Sequence, residues 1–223
     1  MFHIIQRELG ERMLVARNFA THVHSLEMAG LPLAATFKGL TFVQLYACYE
    51  YVVRGSVQAM LSAISAESPE FRQLKAHVLS LALDARFEAT SNCGPRRRWE
   101  TRIALLDEAT SANPASAIPD TAFPSDGSHY RVRQLQTIWR VFGITEPVVP
   151  EPKHNGRIDE LVENRNAVAH GRRTAEEVGR RYSHQDISDR IDDIDAICLH
   201  VLTTVHAHYQ QQGHRTAPST SAA

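Results

Sequence analysis

The sequence predicts an all-α fold, and three observations carry that prediction. Apolar residues return at three- and four-residue spacing through most of the 223-residue chain, the period of helices with one buried face. No segment of strand length alternates polar with apolar residues. The last long segment places Ile187, Ile191, Ile194, Cys198, Val201 and Val205 in a strict alternation of four and three, the stripe used where helices pack into bundles.

The elements follow in order. Residues 2–29 read as a helix through Phe2, Ile5, Leu9, Met13, Ala16, Ala20 and Val23, broken by Gly30-Leu31-Pro32. The second and longest helix, about 33–65, carries Leu33, Phe37, Leu40, Val43, Tyr46, Val53, Val57, Met60 and Ile64. Glu50 interrupts that stripe as an acid on an apolar face. Ser68-Pro69-Glu70 reads as an N-cap with proline at the first helical position, opening a helix to about residue 89. Asn92-Cys93-Gly94-Pro95 is a turn, and Arg96-Arg97-Arg98-Trp99 opens a short helix to about 110. Arginines beside an aromatic could grip a nucleic-acid backbone and stack on a base. A solvated helix start with Trp99 in the core is the simpler reading and the one preferred.

Residues 111–128 are rich in Ala, Ser, Pro, Asp and Gly and aperiodic, as in a flexible loop. Tyr130 to Phe142 resumes a helix that buries Val132, Leu135, Ile138, Trp139 and Phe142. A proline-rich connector follows from Thr145 to Lys153. Asn155 is placed to cap the next helix, Thr174 with Glu177 resembles a capping box, and Ser183 with Asp186 caps the last helix. The tail from Gly213 is rich in Ser, Thr and Ala and is expected to be disordered.

Composition narrows the function. A formal net charge of −1 gives no global attraction to nucleic acid, so any phosphate contact must be local. Only Lys38, Lys75 and Lys153 are lysines; the other basic residues are arginines, which suit bidentate phosphate contacts but also accompany GC-rich coding. Cys48, Cys93 and Cys198 are odd in number and far apart, and no cysteine–histidine ligand spacing occurs, so neither a disulfide framework nor a metal site is indicated. No signal peptide and no long uncharged apolar run is visible, which implies a soluble cytoplasmic protein without a membrane span.

The distinctive stretch is Glu163-Asn164-Arg165-Asn166-Ala167-Val168-Ala169-His170-Gly171. Ile158, Leu161, Val162 and Ala169 mark a buried helix face, and Arg165 falls within it. A guanidinium there is costly unless it is paired or opens onto a solvated cleft. His170 lies five residues on, about 7.5 Å along the axis and about 140° around it, in the last turn, where the helix dipole favours an imidazolium. Gly171 reads as the C-terminal cap. Glu50 and Arg165 are the odd charges on two inner faces, so they are expected to meet. Arg54 is a rival partner for Glu50 through its i,i+4 spacing. Asn166 and His170 share a face, so the amide can orient the ring. An arginine for phosphate charge and a histidine for proton transfer are the minimum parts of a metal-free ribonuclease, whose nucleophile is the RNA 2′-hydroxyl. One histidine cannot easily serve both sides of a phosphate, so the chemistry predicts an isologous homodimer.

Arg165-Asn166-Ala167-Val168-Ala169-His170 resembles the Arg-x4-6-His signature of HEPN domains, in the form with a polar residue after the arginine. Leu161-Val162-Glu163-Asn164 before it, Gly171 after it and the long closing helix are similar in context. Tyr46-Ala47-Cys48-Tyr49-Glu50 is similar to the tyrosine-and-acid pattern of one bacterial branch. The resemblance covers about residues 35–65 and 130–210. It implies a HEPN-like helical domain over 1–212 with an insertion over about 66–129, ahead of the tail at 213–223. It further implies a metal- and cofactor-independent endoribonuclease with RNA as substrate, leaving a 2′,3′-cyclic phosphate and a 5′-hydroxyl. Arg165 and His170 become the catalytic pair, with Asn166 orienting the histidine and Glu50 positioning the arginine. Arg172, Arg173 and Arg54 are the candidate substrate contacts. Such proteins serve as toxins or phage-defence effectors held in check by a partner protein. The alternatives are a non-catalytic dimerisation subunit of a defence or toxin–antitoxin complex, and a target modified by a partner nucleotidyl transferase.

Overall fold

In the computed structural model, residues 1–115, 118 and 130–216 are described, and they are mostly helical. The α-helices are α1 (Phe2–Met28), α2 (Leu33–Glu67), α3 (Ala76–Ala82), α4 (Asp84–Asn92), α5 (Arg98–Ala109), α6 (Val132–Phe142), α7 (Lys153–Ala169), α8 (Ala175–Gly179) and α9 (His184–Gln210). Short 3-10 turns cover Phe71–Gln73 and Pro95–Arg97. Among the described residues no strand forms; Glu70–Pro114 and Leu74–Arg215 are isolated bridges. The predicted all-α class holds. No helix among the described residues is long and apolar enough to cross a membrane.

The chain divides into two compact units. The first comprises residues 1–56, 129–136 and 146–204, and the second residues 57–128, 137–145 and 205–223. The residues read as an insertion in one domain therefore belong to a unit that also takes in the ends of α2, α6 and α9.

In the first unit, α1 buries the whole predicted stripe from Phe2 to Val23. α2 is buried more broadly than one stripe allows: Phe42, Leu45, Cys48, Tyr49 and Val52 are inside, whereas Leu33 and Leu40 of the predicted stripe are exposed. Lys38, which no pattern marked, is buried because its ammonium donates to Glu27 Oε1 at 2.7 Å and to the Tyr182 carbonyl at 2.8 Å. α8 lies backbone-to-backbone on α2. A β-carbon at Gly39 would come within 1.9 Å of the Ala175 carbonyl oxygen, and one at Gly179 within 1.8 Å of the Ala35 carbonyl oxygen. Ala35 and Gly39 thus mate with Ala175 and Gly179, each pair one helical turn apart. Thr174 starts α8 with the predicted capping box to Glu177, and Ser183 exchanges hydrogen bonds with Asp186 at the start of α9.

Several local expectations are corrected. Asn155 does not cap α7. The helix begins at Lys153 behind Pro152, and the Asn155 amide donates to the Pro152 carbonyl at 3.1 Å. A proline already set near helical φ starts the helix earlier than the side-chain cap would. The single helix expected from 70 to 89 is broken. Ser68 takes a left-handed φ of 46° and its hydroxyl bonds Ser65, so it caps nothing downstream. Leu74 and Lys75 then run extended, with the Lys75 amide donating to the His214 carbonyl at 2.9 Å. Trp99 is exposed, not in the core.

The tail expected to be disordered from Gly213 is instead held against the second unit through Thr216; residues 217–223 lie outside the described residues. His214 is fully buried, its ring stacked 5.7 Å from that of Tyr209. Glu67 accepts from Tyr209 at 2.5 Å and from Arg215 at 2.6 Å. Part of the loop expected over 111–128 is also tied down: the Ala115 amide donates to the Pro69 carbonyl at 2.7 Å, and the Ile118 amide donates to the Ser65 hydroxyl at 3.1 Å. The remainder of that loop lies outside the described residues.

Two predictions follow from this packing. Gly39→Ala or Gly179→Ala inserts a methyl into backbone and should cost about 1–3 kcal/mol, the usual penalty for overpacking; chemical denaturation measures it, and Gly10→Ala, inside α1 with open space around it, should instead stabilise by about 0.5–1 kcal/mol. Burial pushes the His214 imidazole below the ordinary 6.5, against the pull of the Glu67 carboxylate. Burial also resists ionisation of Glu67, but hydrogen bonds from Tyr209 and Arg215 outweigh it and hold that carboxyl below its ordinary range. Both depressed groups bind protons more readily in the unfolded chain, so stability is complete above about pH 7 and falls as the solution is acidified through 6.5. Thermal melts between pH 8 and 5 should show that fall, and His214→Leu should flatten its upper part.

Candidate active site

α7 carries the site. Ile158, Leu161, Val162 and Ala167 bury its inner face. Asn164 joins them as a buried polar residue, satisfied by donating to the Tyr182 hydroxyl at 2.7 Å. That hydroxyl donates in turn to Glu160 at 3.0 Å, and Arg190 donates to Glu160 at 2.8 Å. This chain pins the register of α7 one residue before Arg165. Sequence reading passed over Asn164 and Tyr182; a second asparagine in a stretch otherwise apolar on that face was the available signal.

Arg165 is half-buried. Its guanidinium lies over the Tyr46 ring, 4.6 Å from the centroid, and donates from Nη1 to the Asn166 side-chain oxygen at 2.9 Å. Among the described residues it forms no ion pair with a carboxylate. The expected Glu50–Arg165 pair does not form. Glu50 is taken by its neighbour one turn on, Arg54, at 3.3 Å. Two residues on one helix meet without closing a loop, which favours the local partner. Burial raises the Tyr46 phenol, and the Glu50 carboxylate adds to the rise while Arg165 opposes it. Glu50 thus bears on the ring under Arg165, not on the guanidinium directly. Tyr49, one step round α2, is fully buried and donates to the Tyr130 carbonyl at 2.8 Å.

Asn166 is buried and its oxygen serves Arg165. No hydrogen bond joins it to the His170 ring, so the expected orienting role goes to the arginine. The reason is directional: the neighbouring guanidinium lies within hydrogen-bond reach and carries full charge. His170 follows the last helical residue as the C-cap. Its backbone amide donates to the Asn166 carbonyl at 3.1 Å, and Gly171 takes a φ of 67°. The Gly171 amide then donates to Val168 and the Arg173 amide to Ala167, a left-handed helix ending that needs a residue without a β-carbon. The His170 ring is exposed, and no described side chain bonds it.

The outer candidates divide. Arg172 pairs with Glu163 at 3.2 Å, and Glu163 also faces Arg131 at 3.7 Å. Arg173 is exposed, and its charge helps hold the Glu177 carboxyl below its ordinary range, behind the hydrogen bonds from Thr174. Arg54 pairs with Glu50, and a hydrogen bond with Tyr130, with a smaller contribution from the Glu50 charge, raises its pKa. His184, near the motif in sequence, stacks on His24 with ring centroids 4.1 Å apart. Among the described residues no cluster of three or more His, Cys, Asp or Glu side chains is arranged to hold a metal ion.

Known proteins give one point of comparison. A family model described as the HEPN_MAE_28990-like HEPN domain matches residues 6–212. No curated protein and no solved structure matches the chain. The match runs from the first turns of α1 to the end of α9 and takes in Arg165 and His170, so the chain belongs to the HEPN family.

Proposed function

We propose that the protein is a metal-independent endoribonuclease whose site is assembled between two copies of the chain, each supplying Arg165 and His170. One observation carries the reading: Arg165 is a half-buried cation that pairs with no carboxylate among the described residues and is seated on an aromatic face and an amide oxygen. A guanidinium removed from water and left without a counter-ion is a ready site for an anion, and the RNA phosphate is the anion the chemistry requires.

In the reaction the RNA 2′-oxygen attacks the adjacent phosphorus. The new bond is 2′-O–P and the bond that breaks is P–O5′. A base removes the 2′-hydroxyl proton and an acid delivers one to the departing 5′-oxygen. His170 on one copy and its counterpart on the other fill those roles, and Arg165 stabilises the charge that builds on the non-bridging oxygens. The products are a 2′,3′-cyclic phosphate and a 5′-hydroxyl. Arg173 and Arg172 are proposed to meet flanking phosphates, the latter after exchanging Glu163 for the substrate. Arg54 serves the same role at the other end of the site, with Glu50 setting its position. Asn166 is a positioning residue for Arg165. A toxin or phage-defence role, with a partner protein that restrains the nuclease, fits an enzyme whose substrate is cellular RNA.

Arg165→Ala and His170→Ala should each lower cleavage of total RNA by at least about a hundredfold, the scale of a lost general acid–base or charge-stabilising group. Light scattering should still find a dimer, and EDTA should leave the wild-type rate unchanged. Loss of activity on chelation, or full activity in either variant, overturns the reading. Tyr46→Phe keeps the ring beneath Arg165 and should retain most activity. Tyr46→Ala removes it and should lower kcat about tenfold, in line with a misplaced charge-stabilising group, while leaving the dimer intact.

A further inference from the structure

The second unit presents a surface that the proposed reaction does not use. α4 and α5 contain no buried residue. α5 turns one flank toward α4, around the cleft lined by Arg97, Glu100, Thr101 and Ala104. Its opposite flank is bare: Trp99 is 69% exposed, Ile103 57% and Leu106 63%. The Arg102 guanidinium lies 5.3 Å from the centre of the Trp99 ring system. Arg96 and Arg98 adjoin it, while Arg97 lines the cleft on the other side. Among the described residues none of these four guanidiniums makes an ion pair, whereas Arg86 of α4 is paired with Glu108 of α5.

We infer that this flank of α5 is a docking platform for single-stranded RNA, with Trp99 stacking a base and Arg98 and Arg102 contacting its phosphates. Large aromatic rings are seldom left so open on a surface without a use. Arg96, Arg98 and Arg102, without an ion pair among the described residues, concentrate positive charge beside this flank in a chain of formal net charge −1. An aromatic face beside arginines is the combination that holds a single strand, because every base has a face to stack and every linkage a charge. Ile103 and Leu106 extend the apolar strip on which a second base can lie. A protein partner would also cover an apolar strip, but it would leave the arginines needing carboxylates of its own, whereas a nucleic acid supplies both complements at once. RNA, not DNA, is named because the reaction proposed above acts on RNA; the platform itself reads features common to both.

The test uses the full-length His170→Ala protein, which on the reading above binds without cutting. A fluorescein-labelled twelve-nucleotide oligouridylate reports binding by anisotropy, and unlabelled oligouridylate is titrated against tryptophan fluorescence. Binding should quench tryptophan emission. Adding Trp99→Ala should weaken affinity about tenfold, the scale of one lost base stack, and Trp99→Phe should restore most of it. Arg98→Gln with Arg102→Gln should reduce the salt slope of log K by about 1.4, two phosphate contacts on a single strand. Unchanged affinity in Trp99→Ala overturns the inference. So does a fall in assembly mass with Trp99→Ala at unchanged affinity, which makes the flank a protein contact. If wild-type protein cuts no RNA yet Trp99→Ala weakens binding, the platform stands and the catalytic proposal alone falls.

Discussion

A half-buried guanidinium with no counter-ion among the described residues is the constraint on which the candidate site depends. Arg165 sits on a helix face that the hydrophobic pattern requires to be inside. The Tyr46 ring offers it a negative face and Asn166 an amide oxygen. Neither neutralises the charge. A carboxylate in that place would stabilise the free protein and compete with any incoming phosphate. Pairing Glu50 with Arg54 along its own helix keeps the nearest acid on α2 occupied, so the folded chain holds its cation poised.

The rest of the first unit fixes where that cation and the histidine point. The hydrogen-bonded chain from Arg190 through Glu160 and Tyr182 to Asn164 sets the register of α7 just before Arg165. Beyond His170, the left-handed turn at Gly171 sends the backbone directly into α8. α8 in turn is clamped on α2 by glycines that admit no β-carbon. The helix that carries Tyr46 is therefore the one that anchors the segment leaving the motif. A small-residue contact with no chemistry of its own connects packing to the placement of His170.

Much of this was legible in the sequence. Helical periodicity located α1, α2, α6, α7 and α9 to within a few residues, because each buries a continuous apolar stripe. The capping pairs Thr174–Glu177 and Ser183–Asp186 were read directly, since a cap is a local hydrogen bond between residues three apart. What sequence could not supply was competition between distant partners. Glu50 had two arginines within plausible reach, and only the fold decides that the local one takes it. The Asn166 amide had a histidine and an arginine to choose from, and the side-chain directions at the helix end decide that. The segment from Ser68 to Lys75 had strong helix-start signals, yet the backbone pairing with His214 and Arg215 overrides them. Bulky aromatics usually belong to the core, which places Trp99 there from sequence; its exposure goes with that of Ile103 and Leu106 on the same flank of α5.

Arginine Nε resonances observed by NMR test most directly whether Arg165 is an open anion site. A 2′-O-methyl oligonucleotide, which cannot cyclise, would be titrated into the wild-type protein while the signal absent from Arg165→Ala is followed. The account predicts a saturable shift of that signal, matching the affinity measured independently. Saturable binding of the oligonucleotide with the Arg165 signal unmoved would contradict it.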